Sequence, residues 1–281
     1  MRSARRLLAP LCLVGVAAAA PMPSYAQAPQ EAQAQPSYAD LADLADSAPV
    51  ILRVQIRKLS RVEPERSRGL RPGWARFYIE ARTEALLTAA STQGEAVRYL
   101  ADVPLDSKGK PPKLKKQSAL LFARAVAGRP GELQLVAPDA QLAWNPAAEA
   151  RLRGILTELV APDAPPRVMG VREAIHVPGN LAGEGETQFF LDTENQSAAS
   201  ITMQHRAGVA PAWGVSFSEV AAAIGDPPAR DTLAWYRLAC FLPNRLPPSA
   251  NLSESAASRA QAEGDYRTVL GQLGQCLRTR G

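Results

Sequence analysis

Histidine is almost missing from this 281-residue chain, which carries only His176 and His205. A Ser-His-Asp relay needs an imidazole to take the nucleophile's proton, and neither histidine accompanies a Gly-x-Ser-x-Gly turn. A zinc centre would need a ligand spacing that these two residues do not supply. Both read as ordinary strand-end residues. Aromatic residues amount to only 6 %; Trp213, Phe217, Trp235 and Tyr236 lie in regular apolar context, which assigns them to packing. The glycine-containing stretch 179–185 lacks a Lys-Ser/Thr pair and a following helix, so it assembles no phosphate loop. After the first twenty residues no apolar run approaches the roughly 20 residues of a membrane-spanning helix. No internal repeat is visible, and no cofactor or metal is implied.

What the N-terminus does carry is a leader pattern. Arg2, Arg5 and Arg6 precede an apolar run from Leu7 to Ala20, and Ser24-Tyr25-Ala26 offers small residues at a cleavage site. Residues 1–26 are therefore expected to be a signal peptide cut after Ala26, which makes the protein periplasmic or secreted. Cys12 sits in the apolar run without the small residues that precede a lipidated cysteine. Removing the leader takes the net charge from +5 to +2, which weakens any nucleic-acid reading. Cys240 and Cys276 remain, an even count that in an oxidising compartment predicts a disulfide. Closing that loop stabilises by about 4 kcal/mol in the chain-entropy model.

Residues 27–36, rich in Gln, Ala and Pro, read as a flexible lead-in. Tyr38, Leu41, Leu44 and Ala45 mark one side of a short amphipathic helix. Alternation then begins, with Val50, Leu52, Val54 and Ile56 on one face and Arg53, Gln55 and Arg57 on the other. Further extended segments are expected at 76–88, 96–105, 118–126 and 132–136, separated by Gly, Pro and charged turns. Five such strands in about 95 residues suit a small closed antiparallel barrel, since closure removes exposed edges. A short helix leading into "APVILRVQI", a long second strand and a basic turn Lys113-Leu114-Lys115-Lys116-Gln117 before "ALLFARAV" resemble the OB-type barrels of netrin-like modules over residues 38–137. The strings "DVPLDSKGKPPKLKK" and "VPGNLAGEGETQ" resemble exported proteobacterial proteins, a likeness that implies no activity.

Asn145 and Pro146 form an N-cap and first helical position, predicting a helix to about Val160 with Leu152, Ile155, Leu156 and Leu159 along one side. Extended segments follow at 167–177, 186–193, 198–206 and 213–220, the middle pair joined as a hairpin through residues 194–197. Two helices close the sequence, one over 231–242 bearing Cys240 and one with Tyr266, Val269, Leu270, Leu273, Cys276 and Leu277 on a stripe. The expected fold is α+β: an OB-like antiparallel barrel domain at 37–143, then an α+β domain at 144–281 with helices layered on an antiparallel sheet.

Two charged clusters are candidate sites. Lys108, Lys110, Lys113, Lys115 and Lys116 form a proline-stiffened basic loop suited to anionic lipid headgroups, lipopolysaccharide phosphates or acidic glycans, or to protecting a strand edge. Glu184, Glu186, Asp192 and Glu194 would gather if the glycine-rich loop folded back, giving a calcium site or an acid/base pair for sugar cleavage. No residue set proposes a nucleophile and base. The expectation is therefore a non-catalytic binding or scaffold protein of the cell envelope, partnered by an envelope protein or an anionic envelope surface, without nucleic acid and without a membrane span after leader removal. The alternative is a carboxylate-dependent hydrolase acting on a glycan.

Overall fold

A computed structural model describes residues 35–90, 93–220, 224 and 227–280. The expected leader, with Cys12, and most of the expected lead-in lie outside the described residues. From Gln35 onward the chain forms one unit. Helix α1 (Tyr38–Ser47) opens with Ser37, whose hydroxyl accepts from the Asp40 amide while the Asp40 carboxylate accepts from the Ser37 amide. Strands β1 (Val50–Arg61), β2 (Trp74–Ala89), β3 (Ala96–Pro104), β4 (Ser118–Ala125), β5 (Glu132–Leu135) and β6 (Gln141–Ala143) make the first sheet. Its order is β1-β2-β3-β5-β4-β6, and β1 also pairs with β4. Five strands therefore close into a barrel, a shape compatible with an OB-like fold.

The alternation read from sequence becomes the barrel interior. Val54, Ile56, Phe77, Ile79, Val97, Tyr99, Val103, Leu133 and Leu135 are buried. Ala119–Ala123 is instead buried without a break, because the outer side of β4 is covered as well, with α1 against it. Register shifts in the β1–β2 ladder let the sixteen-residue β2 bend around the barrel.

The barrel is mixed rather than antiparallel as expected. β5 pairs antiparallel with β4 but parallel with β3, through only two positions, Arg98 with Glu132 and Tyr99 with Leu133. A hairpin return from β4 fixes β5's direction, and that direction matches β3. Strand β6 was not expected; three residues carry no readable period.

Asn145 caps α2 (Pro146–Leu159) with Pro146 at its start. A second, antiparallel sheet follows in the order β10-β9-β8-β7, from β7 (Val168–Pro178), β8 (Gly185–Thr193), β9 (Ser200–Arg206) and β10 (Val209–Ser216). Helix α4 (Ala256–Leu273) packs on it, with Tyr266 against Phe189 at 5.5 Å between ring centres. Helix α3 (Leu233–Ala239) is shorter than the stretch expected to form it.

The disulfide Cys240–Cys276 is present, with Cα atoms 5.1 Å apart. Its surroundings differ from the two-helix picture. Cys240 is the C-cap of α3, and Cys276 lies beyond α4, which ends before Gly274 at φ 69°. Glycine adopts that left-handed turn without a Cβ penalty, so the apolar stripe continues past the helix that carries it. Among the described residues no helix is long and apolar enough to cross a membrane.

Helix α1 is enclosed on nearly every side. Asp40 accepts from the amides of Thr279 and Arg280, Asp43 from the Tyr236 hydroxyl and the Arg278 guanidinium, and Asp46 from Arg167 and Arg237. Burial pushes the Asp46 carboxyl up, but the two guanidiniums outweigh it and hold the group below the usual carboxylate range. A carboxyl depressed in the folded state contributes stability above its unfolded value near 3.9, lost as pH falls further. Removing one partner of such a pair leaves the other charge buried alone. Asp46→Ala is therefore expected to lower stability at pH 7 by about 3–5 kcal/mol in urea denaturation, with a smaller penalty at pH 3. An equal penalty at both values would contradict the ion-pair account.

Candidate functional site

Two concave sites lie on the barrel. The larger is a groove of about 690 Å³ on the outer side of β2, β3 and β5, lined among others by Tyr78, Arg98, Leu100, Arg129, Leu133 and Gln134. It exists because the β3–β5 parallel pairing is so short. Past Tyr99 the two strands separate, and on the side away from β2 the Asp102 amide of β3 donates to the Pro138 carbonyl beyond β5. The groove occupies that seam, and its volume falls in the range of small-molecule sites.

Side-chain polarity in the groove is uneven. Arg76 forks onto Asp102 at 2.7 and 2.9 Å, and Arg129 reaches Glu132 at 3.3 Å, so both charges are matched. Arg98 is exposed and has no carboxylate within salt-bridge distance among the described residues. Tyr78 and Leu100, paired across β2 and β3, stay 36 % and 48 % exposed, a flat apolar patch beside that free guanidinium. The smaller cleft, about 460 Å³, is lined by Arg53, Arg82, Thr83, Glu84, Ser118 and Trp144. Arg53 there is committed to Glu149 at 2.8 Å and lies 5.2 Å from the Trp144 ring.

The acidic cluster does not gather. Glu184 and Glu186 stand at the start of β8, Asp192 and Glu194 at its end. Six strand steps separate Glu186 from Asp192, roughly 20 Å. The loop before β8 closes on itself instead of folding back, with the Gly179 amide donating to the Glu184 carbonyl at 2.8 Å. Glu186 accepts from Gln188 and Gln204, and Glu194 pairs with Arg167. None of the four lines either cleft. The five lysines stay together on the exposed connection between β3 and β4.

Sequence spacing missed one constellation. The two histidines, 29 positions apart, come within 6.0 Å of each other by ring centres. His205 Nε2 bonds the buried Asp265 of α4, and the Thr187 hydroxyl also donates to Asp265. That hydroxyl has one proton, so it accepts from His176 Nδ1–H at 2.8 Å. Gln261 donates to the other carboxylate oxygen. These side chains join β7, β8 and β9 to α4 rather than lining a cleft. Among the described residues no group of His, Cys, Asp and Glu is arranged to hold a metal ion. The sequence held a partial signal, since Asp265 interrupts the apolar face of α4.

No protein-family model matches the chain, and no curated protein matches it.

Burial, with the second histidine adding to it, holds the His176 imidazole below its ordinary value although Asp265 acts in the opposite sense. A histidine depressed in the folded state contributes stability above the unfolded value near 6.5 that is lost as pH falls below it. Thermal melts are expected to drop between pH 7.5 and 5.5, and His176→Gln, which keeps a donor to Thr187, is expected to flatten that drop. Identical pH profiles for both proteins would refute the assignment.

Proposed function

We propose that this is an exported, non-catalytic binding protein of the cell envelope, whose OB-like barrel (residues 37–143) holds a ligand while residues 144–281 brace it. Export rests on the leader pattern, and the disulfide agrees with an oxidising compartment. The observation that carries the binding reading is the seam groove. An unmatched guanidinium beside an exposed ring and a leucine side chain suits an anionic ligand with flat apolar faces. Acidic oligosaccharides have that chemistry: sugar rings stack on Tyr78 and Leu100, and a uronate carboxylate accepts from the Arg98 fork. The hydrolase alternative would need two converging carboxyl groups about 5–10 Å apart across a bound sugar; the acids of this groove are already engaged by Arg76 and Arg129.

Isothermal titration of the mature protein with tetragalacturonate tests the reading, with neutral maltotetraose as control. Saturable heat is expected only with the acidic sugar. Arg98→Gln is expected to weaken binding roughly tenfold or more, the size of a lost charge-assisted hydrogen bond, and Tyr78→Ala is expected to weaken it as well. Absence of heat at millimolar ligand, or equal binding by both variants, would overturn it.

A further inference from the structure

The barrel has a second feature, at one end rather than on its side. The β1–β2 connection and the β3–β4 connection leave from the same pole. The Leu105 amide donates to the Gly73 carbonyl, Trp74 pairs with Pro104, and the Lys116 amide donates to the Ile56 carbonyl. Residues 56–73 contribute Arg57, Lys58, Arg61, Arg66, Arg68 and Arg71; residues 105–117 contribute the five lysines. Within these two segments the acids are Glu63, Glu65 and Asp106, so the segments carry a net +8 while the whole chain carries +5. Everything outside them is net −3, or −6 once the leader's three arginines are set aside.

All eleven basic residues are exposed. Only Lys58, on Glu80, and Arg71, on Asp139, reach a carboxylate among the described residues. Asp106 is spent on the backbone, its Oδ1 accepting from the amides of Lys108 and Lys110, which folds a tight turn between two exposed lysines. Lys116 holds φ 69°, a conformation that glycine would take at lower cost. Half-buried apolar groups sit among the charges: Leu70, Leu114, and Trp74 under the Arg71 guanidinium at 4.0 Å.

The geometry points to this pole as a docking surface for anionic phospholipid membranes, with the lysine and arginine side chains over the headgroup phosphates and Trp74, Leu70 and Leu114 at the interface. Charge spread over two exposed connections meets a plane of phosphates; neither of the two clefts described above lies there, whereas a single polyanionic chain is better held along a groove. Each basic residue near such a surface contributes about 1 kcal/mol, equivalent to about fivefold in partitioning. The pole shares none of the residues assigned to the seam groove, so the two readings fail separately.

Co-sedimentation of the mature protein with vesicles tests it, using phosphatidylcholine containing 30 % phosphatidylglycerol against pure phosphatidylcholine. Binding is expected only to the anionic vesicles at low salt and is expected to fall steeply by 300 mM salt, where charge interactions are screened within a few ångströms. Arg66→Gln with Arg68→Gln, and separately all five lysines to Gln, are expected to lower partitioning by about fivefold per charge removed. Arg151→Gln with Arg267→Gln, equal in charge but on α2 and α4, is expected to leave it nearly unchanged. Equal binding to neutral vesicles, equal loss in the α2 and α4 variant, or binding indifferent to salt would overturn the proposal. So would capture of soluble tetragalacturonate through the pole lysines without vesicle binding.

Discussion

The structure depends on the requirement that the carboxylates of α1 be matched wherever the helix is enclosed. Asp46 takes both oxygens of its side chain to Arg237 of α3 while Arg167, just before β7, donates to it as well. The same helix packs against α2 and against β4 of the barrel, with its leucines buried. One carboxylate thereby ties the barrel side of the protein to the second sheet and to α3. Asp43 and Asp40 repeat the arrangement one and two turns earlier, with Tyr236 and the 278–280 segment as their partners. A charge held this way contributes little net energy compared with a well-packed apolar isostere. Its effect is on specificity: an alternative docking of α3 would strand Arg237, 4 % exposed at its side chain, without a counter-ion.

The same principle separates the acids and bases that hold the fold from those left for other uses. Arg53, Arg76, Arg167 and Arg237 are all committed to carboxylates within 3 Å. Arg98 and most of the basic pole are not. That contrast divides structural cations from those free to bind, because an unmatched cation is stable only in water or against a ligand.

Much of the fold was legible in the sequence, for a simple reason. Strands with one face buried alternate, so β1, β2 and β3 could be placed by period alone; the last strand of the second sheet, expected at 213–220, runs Val209–Ser216, and its burial does not alternate. What could not be read was relation. Nothing in Glu132–Leu135 distinguishes a parallel neighbour from an antiparallel one, so neither the mixed barrel nor the seam groove was visible. The roles of the α1 aspartates could not be read because their partners lie about 120 to 240 positions away; the lone Arg237 in an otherwise apolar helix was the available hint. The stripe through Cys276 suggested a helix that Gly274 ends. Histidines 29 positions apart on different strands have no sequence spacing to betray their meeting at Asp265, and the acidic residues of β8 looked clustered only because sequence distance hides the length of an extended strand.

The histidine pair is also held by what is missing beside it. Gly185 lies so close to the His176 ring that a β-carbon there would stand 2.8 Å from Cε1 and 3.0 Å from the Val177 carbonyl oxygen. A side chain at 185 would therefore have to displace the imidazole or the β7 backbone, and the imidazole is the group that Thr187 holds. The bare backbone at 185 is thus the space into which the imidazole fits.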